Sequence, residues 1–450
     1  MLIKGGLIVE SDSIKKADIL IENEKIKKIA EDINDIENEK IIDASGKIIF
    51  PGIIDSHTHF NLHSRGTVSA DDFYSGGRSA AFGGVTTHID YADMYNGSLI
   101  EGIEKRIEEA EDAVIDYHFH MVINNEFNPL KNAELLKDVK KFGISSLKLF
   151  TTYKDIYMLD EDKWEPLLQA AKDAGLLVTV HAEEDAIIQE KMEKYRAKGK
   201  LDIKYHPEIR PGIAEAEAIK KVCEKARDID IPIYIVHLSS KEGFEELYKA
   251  KRKGLKVYAE TTPHYLILSK EELDTQDGRL FFMTPPLREI VDNSALWHGI
   301  NKNYIDVIAT DHCAYNQKQK EEGKNYQDIL PGIPGVETLL SLIFTHGITM
   351  NRINLMRLVE LLSTNPAKIF GLYPEKGSLR EGTDADLVVY DHESEYELKD
   401  EDMHSRAGYT PYRRSVISGK PVMTMLRGKI IMEDGEFKAE KGYGRFLRAK

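Results

Sequence analysis

The sequence predicts a (β/α)8 TIM-like barrel with a small β-sandwich domain that the N- and C-terminal segments build together. Three observations carry this expectation. Eight β-rich apolar runs recur through the middle of the 450-residue chain with helical stretches between them. The two ends instead alternate short β-type runs with turn residues. The length suits a barrel of about 250 to over 400 residues with a modest appendage.

The first fifty residues contain LIKGGLIVE, ADILIENEKIKKIA and KIIDASGKIIF, separated by turn residues as in a small antiparallel sheet. The last seventy repeat the pattern with DADLVVYD, PVMTMLRGKIIMEDGEF and a polar tail. Boundaries near Pro51 and Gly377 then divide the chain into residues 1–50 (first part of the sandwich), 51–376 (barrel) and 377–450 (second part and tail). Within the barrel the eight runs are IIFPGIIDSHTHF, GVTTHIDYA, VIDYHFHMVI, ISSLKLFTTY, GLLVTVHAE, IPIYIVHLSS, KVYAETTPHYL and YIDVIATDHCA. Amphipathic or alanine-rich stretches such as IEGIEKRIEEAEDA, EDKWEPLLQAAKDAG, EAEAIKKVCEKARD and SKEGFEELYKAKRKG lie between them, with glycine as a helix stop near several ends. Eight strands with intervening helices favour a closed barrel over an open doubly wound sheet.

Composition narrows the function. Lys plus Arg number 61 against 76 Asp plus Glu, a net charge of −15 that would repel nucleic-acid phosphates and anionic membrane surfaces. No apolar run reaches the roughly 18 residues of a membrane helix, and MLIKGGLIVE lacks the apolar core of a signal peptide, so a cytoplasmic protein is expected. No G-x-G-x-x-G follows a strand and no P-loop is present, so no nucleotide cofactor is indicated. Cys223 and Cys313 are too few for a disulfide framework or a cysteine zinc site. Any metal must be held by histidine and carboxylate.

Catalytic groups in such a barrel come from the C-terminal ends of the strands. There the chain places His57 and His59 (strand 1), Lys148 (strand 4), His181 (strand 5), His237 (strand 6) and Asp311 (strand 8). Residues two apart in a strand share a face, so His57 and His59 can address one ion. Imidazole and carboxylate suit Zn2+, with Fe, Mn or Co also compatible. A single histidine ordinarily reads as a satisfied core or surface residue; several at strand ends do not. His118 and His120 form a second H-x-H that spacing alone leaves open. The Pro-Gly entry and Asp of PGIIDSHTH favour the first pair, whereas His118 and His120 precede Met121 and Val122 and so lie deeper in their strand. His63, His88, His264, His298 and His312 are expected at the mouth, and His206, His346, His392 and His404 at the surface. Lys148 in SLKLF reads by itself as a structural lysine. An ammonium has donors only and ligates a cation only after its neutral amine takes up carbon dioxide as a carbamate.

The chain resembles the amidohydrolase superfamily, in particular its cyclic amidases: hydantoinases, dihydropyrimidinases, allantoinases and dihydroorotases. PGIIDSHTHF, SLKLFTTYK, VTVHAEED, IVHLSSKEG, TTPHYL, FMTPPLRE, IATDHCAY, TNPAKIFGL and KGSLREGTDADLVVYD carry the resemblance, in that order and nearly end to end. GTVSADDFYSGGRSAAFGGVTT and IDYHFHMVI are most similar to hydantoinases and dihydropyrimidinases, which keep the block around His120 without using it as a ligand. The resemblance implies two divalent ions, Zn2+ being the first expectation. His57, His59 and Asp311 would hold the more buried ion, His181 and His237 the more exposed one, and carboxylated Lys148 would bridge both. It further implies that the phenol of Tyr153 binds the substrate carbonyl and that the backbone of Thr284, where these enzymes usually have Ser, binds the cyclic imide edge. Gly332 in LPGIPGVE falls near an Asn that hydantoinases often carry after Pro, with spacing one residue shorter; this block looks closer to allantoinases and dihydroorotases, and Asn61 to some allantoinases. Dihydroorotases carry Arg at the position of Asn61. Leu62, Phe150 and Tyr157 are expected to line the pocket for the ring substituent.

The implied reaction is hydrolytic opening of a cyclic amide, a hydantoin or dihydropyrimidine, to an N-carbamoyl amino acid. A hydroxide bridging two ions about 3.5–4 Å apart would attack the ring carbonyl, and Asp311 would relay its proton to the leaving nitrogen. Allantoinase and then dihydroorotase are the alternatives within the enzyme class. A non-catalytic dihydropyrimidinase-related scaffold is the alternative outside it, opposed by retention of all six ligand positions. Relatives are commonly oligomeric, so a homotetramer or dimer is expected, with a small-molecule cyclic amide as the partner.

Overall fold

The computed structural model describes residues 1–34, 40–154 and 156–450. All eight central runs form strands: β1 (Ile53–Asp55), β2 (Val85–Ala92), β3 (Asp116–Ile123), β4 (Ser146–Phe150), β5 (Leu177–His181), β6 (Ile233–Ile235), β7 (Val257–Thr261) and β8 (Val307–Ile308). They are hydrogen-bonded in sequence order as a parallel sheet. Every residue of β2 and β3 is buried, as expected of strands covered by helices outside and packed side chains inside. β8 and β1 close the ring just beyond their ends. Thr310 N donates to Asp55 Oδ1 at 3.0 Å, His59 N donates to His312 O at 2.8 Å, and Thr58 bridges His312 in parallel register.

The helices between strands follow their sequence pattern. Trp164–Ala174 buries Trp164, Leu167, Leu168 and Ala171, a stripe with i, i+3, i+4, i+7 spacing, and stops at Gly175, whose φ of +69° suits a left-handed cap. Lys241–Arg252 begins at Ser240, whose hydroxyl accepts from Gly243 N. No helix among the described residues is long and apolar enough to cross a membrane.

The two ends of the chain share one nine-stranded sheet, joined where Leu387–Glu397 pairs antiparallel with Ile48–Pro51. Ile3, Ile8, Ile19, Ile21, Leu387, Val389, Met423 and Met425 form its own core. The turn after Val416–Leu426 reaches back to the strand Ile14–Glu22. A Cβ on Gly428 would lie 3.0 Å from Ile21 Cγ2, and Gly428 N donates to Ala385 O. The polar tail then crosses to β3, where Leu447 O accepts from His118 Nδ1 at 2.9 Å.

A buried charge cluster fastens this sheet to the barrel. Lys376 Nζ lies 2.6 Å from Asp116 on β3, 2.6 Å from Asp386 and 3.0 Å from Asp384, and Arg427 also pairs with Asp116. The three carboxylates approach closely enough to suggest a cation site, but the Lys376 ammonium already supplies the cation. Replacing Lys376 by Met leaves buried carboxylates short of a counter-charge and should cost about 3–5 kcal/mol in denaturant unfolding. A loss below about 1 kcal/mol, the value of an exposed pair, would show that the cluster does not fasten the two parts.

Candidate metal centre and substrate cavity

The strand ends bring the expected residues together. His57, His59, Lys148, His181, His237, Asp311, Tyr153, Thr284, Gly332, Leu62, Phe150 and Tyr157 all line one cavity of about 360 Å³ at the C-terminal mouth of the barrel. His57 Nε2 and His59 Nε2 converge on Asp311 Oδ1 at 3.2 and 3.1 Å, and the ligand atoms of these three residues lie within 4.8 Å of one another. The His237 ring completes the group, 5.4 Å from His57 and 4.5 Å from His181 between centroids. Three of these side chains reach the cavity through unfavourable backbone geometry. Tyr153, His237 and Asp311 have φ of +66°, +37° and +52°. Non-glycine residues in that region cost of order 1–3 kcal/mol each and persist only where the surrounding fold holds them.

Buried carboxylates set the orientation of the rings. Glu260, on β7, lies 2.7 Å from His57 Nδ1 and accepts from His237 N at 3.1 Å and from Tyr234 OH at 2.8 Å. Glu183 lies 2.7 Å from His181 Nε2 and pairs with Arg210. With those nitrogens engaged, His57 Nε2 and His181 Nδ1 carry the lone pairs left for an ion, the arrangement in which a carboxylate orients a metal-ligating histidine. Burial pushes the Glu260 carboxyl up to about 7. Burial raises Glu183 as well, but the Arg210 charge and the His181 hydrogen bond prevail and hold it down at about 2. Burial also depresses His57 and His237 well below the usual imidazole range, so both rings are neutral and able to ligate.

Lys148 is almost fully buried and, among the described residues, makes no hydrogen bond and has no carboxylate within ion-pair distance. Its Nζ sits about the rings of Tyr91 and Phe150, 5.0 and 5.1 Å from their centroids. Burial lowers its amine to about 7 against the weaker pull of Glu260 and Asp311. His237 Nδ1 is likewise buried with no hydrogen-bond partner. Neutral imidazoles, a carboxylate and an amine without a counter-ion fit a centre for divalent cations.

The second H-x-H does not take part. His118 lies between Leu447 O and Ser145 Oγ, and His120 between Ser56 O and Ser146 Oγ, so all four ring nitrogens are occupied. Of the histidines expected at the mouth, only His63 lines the cavity. His88 bonds Thr58, His312 bonds Asp71, His264 is buried beside Tyr265, and His298 is exposed on an outer helix. Among those expected at the surface, His392 is exposed and His346 half-buried. His404 is half-buried, stacked on Phe82 and paired with Glu337. The surface reading of His206 is corrected: it is buried against Phe282, because the short helix that carries it folds under the substrate cavity. Gly332 has φ of +138°, and a Cβ there would lie 2.4 Å from Cys313 O; its N–H is already spent on Phe282 O at 2.9 Å. The cavity also contains Arg65, Tyr91, Asp93 and Met283, which sequence reasoning missed. Glu260 was legible by the same strand-end rule that found Asp311.

A family model described as the amidohydrolase family matches residues 48–431. The D-phenylhydantoinase of Escherichia coli O1:K1 / APEC is 39% identical over 459 residues, covering 100% of this chain and 98% of the relative. The crystal structure of the dihydropyrimidinase of Brevibacillus agri NCHU1002 superposes with a TM-score of 0.97 at 33% identity, covering 100% of this chain and 98% of that one. The L-hydantoinase (dihydropyrimidinase) of Arthrobacter aurescens superposes with a TM-score of 0.92 at 28% identity and 99% coverage of both chains.

If Glu260 orients His57, Glu260→Gln should weaken metal affinity by about 10–100-fold, the usual effect of removing such a partner. Competition with a chelator followed by elemental analysis measures this, and unchanged affinity would remove Glu260 from the centre.

Proposed function

The chain belongs to the amidohydrolase family, and from that we propose that it opens cyclic amides of the hydantoin or dihydropyrimidine type by hydrolysis, yielding N-carbamoyl amino acids. The observation that carries this reading is that all twelve expected ligand, substrate and pocket residues line one cavity at the barrel mouth. Similarity to a D-phenylhydantoinase over the full length supports it.

In this reading His57, His59 and Asp311 would hold one ion, His181 and His237 a second, and Lys148, carboxylated by carbon dioxide, would add carboxylate oxygens to the centre. Zn2+ suits the nitrogen and oxygen donors. When bound, the ions would supply Lewis acidity that makes water a nucleophile near neutral pH. Tyr153 donates its phenolic hydrogen to the ring carbonyl oxygen, more strongly as negative charge grows there. Burial pushes that phenol up to about 12, against the pull of Arg210, so it remains a donor at neutral pH. Asp311 takes the proton of the attacking water and passes it to the leaving ring nitrogen. Burial works against its charge, but hydrogen bonding with His59 Nε2 at 3.1 Å favours the carboxylate, the form that accepts that proton. Thr284 meets the imide edge, and Leu62, Phe150 and Tyr157 surround the substituent. Subunits associate as a tetramer or dimer.

An allantoinase is the second reading, favoured by the charged groups Arg65 and Asp93 in the same cavity as the apolar side chains. A ureido substituent offers both an acceptor to Arg65 and donors to Asp93.

Metal-loaded protein prepared with bicarbonate should open hydantoin, phenylhydantoin or dihydrouracil in preference to allantoin and dihydroorotate. Turnover of allantoin alone would keep the mechanism and reassign the enzyme. Tyr153→Phe should lower kcat by about 10²–10³-fold, the value of one oxyanion donor. Asp311→Ala should lower it by at least about 10²-fold, and near-normal turnover would eliminate the proton relay. Carboxylation needs the neutral amine of Lys148, whose fraction grows as pH rises through about 7. At constant dissolved carbon dioxide, metal uptake by the apo-protein should therefore increase from acid to alkaline pH, and Lys148→Ala should abolish that dependence.

A further inference from the structure

The chain from Phe282 to Pro285 crosses one wall of the cavity, and buried side chains from three other segments hold it. Lys320, fully buried and without a carboxylate in ion-pair range among the described residues, donates from Nζ to Phe282 O at 2.7 Å. Gly332 N donates to the same oxygen. His206 Nε2 lies 3.1 Å from Met283 O and 3.1 Å from Thr284 Oγ1, and its ring packs on Phe282 with centroids 4.3 Å apart. A carbonyl can only accept, so the hydrogen of His206 resides on Nε2 and is shared between Met283 O and Thr284 Oγ1. Tyr265 OH donates to Pro285 O. Thr284 is the exception. It lines the cavity, yet neither its N–H nor its C=O has a partner among the described residues.

This pattern exceeds what packing requires. A buried lysine head group with one acceptor is a costly way to fill space that an apolar side chain would fill without desolvation. The clamps fall on the residues either side of Thr284 and leave its peptide groups unspent. A cyclic imide edge displays a donor N–H next to an acceptor C=O, the complement of an unspent peptide C=O and N–H. Polar groups left unpaired until a ligand arrives discriminate strongly against ligands that cannot meet them.

We propose that His206 and Lys320 are positioning residues, which hold the Phe282–Pro285 segment so that the unpaired N–H and C=O of Thr284 meet the imide edge of the substrate. The proposal rests on the ring-opening reading above. It assigns to His206 and Lys320 an effect on substrate affinity and selectivity that needs no contact with the reacting atoms or the metal ligands.

Steady-state kinetics with hydantoin and with 3-methylhydantoin, whose imide nitrogen carries no hydrogen, test it on Zn2+-loaded wild type, His206→Leu, His206→Gln and Lys320→Met. One lost or misplaced hydrogen bond predicts a rise in the KM for hydantoin of about tenfold in His206→Leu and Lys320→Met, exceeding any fall in kcat. Selectivity for hydantoin over 3-methylhydantoin should shrink in parallel. His206→Gln retains a side-chain N–H donor and should recover most of both, with metal content as in wild type. Unchanged KM and selectivity in His206→Leu, with hydantoin still turned over by wild type, would overturn the positioning role alone. Equal losses of kcat and KM in His206→Leu and His206→Gln would reduce His206 to a structural residue and overturn it too. Failure of wild type to open hydantoin would remove the ring-opening reading and this proposal with it. Should His206→Leu not accumulate as folded protein, Lys320→Met against His206→Gln gives the same decision.

Discussion

A lysine amine enclosed by imidazoles and aromatic rings, with no counter-charge in contact, cannot remain an ordinary ammonium without a large desolvation cost. Lys148 occupies that position in the middle of β4, and the rest of the barrel mouth is arranged around it. Burial holds the His57, His181 and His237 rings below the usual imidazole range, which limits their repulsion of it. Asp311 and Glu260, the carboxylates whose charge reaches it, are engaged with His57 and His59. Such a group is stabilised by losing its proton, and a neutral amine is the form that can react with carbon dioxide.

Holding four imidazoles in place beside that amine places demands on the strands behind them. Glu260 on β7 serves both the ring of His57 and the backbone of His237, and Glu183 serves His181 while Arg210 balances its charge. The left-handed backbone at Tyr153, His237 and Asp311 is tolerated because each lies just beyond a strand or apolar run held by barrel hydrogen bonds. The other side of the barrel is secured by Lys376 among its three carboxylates.

The cavity beyond the metal centre has mixed chemistry. Leu62, Phe150 and Tyr157 give it apolar walls, and Arg65 and Asp93 add opposite charges. Barrel folds vary their substrates through such loop residues while keeping the strand-end groups constant. The features that set ring chemistry and those that set substituent choice thus lie on different parts of the same mouth.

Sequence alone determined the eight strand runs, the helical stripes and the side chains that end each run, because period and strand position are local properties that fix which face a residue occupies. That was enough to gather twelve residues into one cavity. It left the two H-x-H pairs to be separated by motif, since four ring nitrogens satisfied by Ser145, Ser146, Ser56 and Leu447 cannot be inferred from spacing. It also placed His206 at the surface and passed over Glu260, Arg65 and Lys320. Tertiary structure decided these, because their partners lie far away in the chain: Glu260 meets His57 across 203 positions, and His206 meets Thr284 across 78. A polar side chain acquires its role from the atom that satisfies it, and only the closed barrel brings that atom within hydrogen-bond reach.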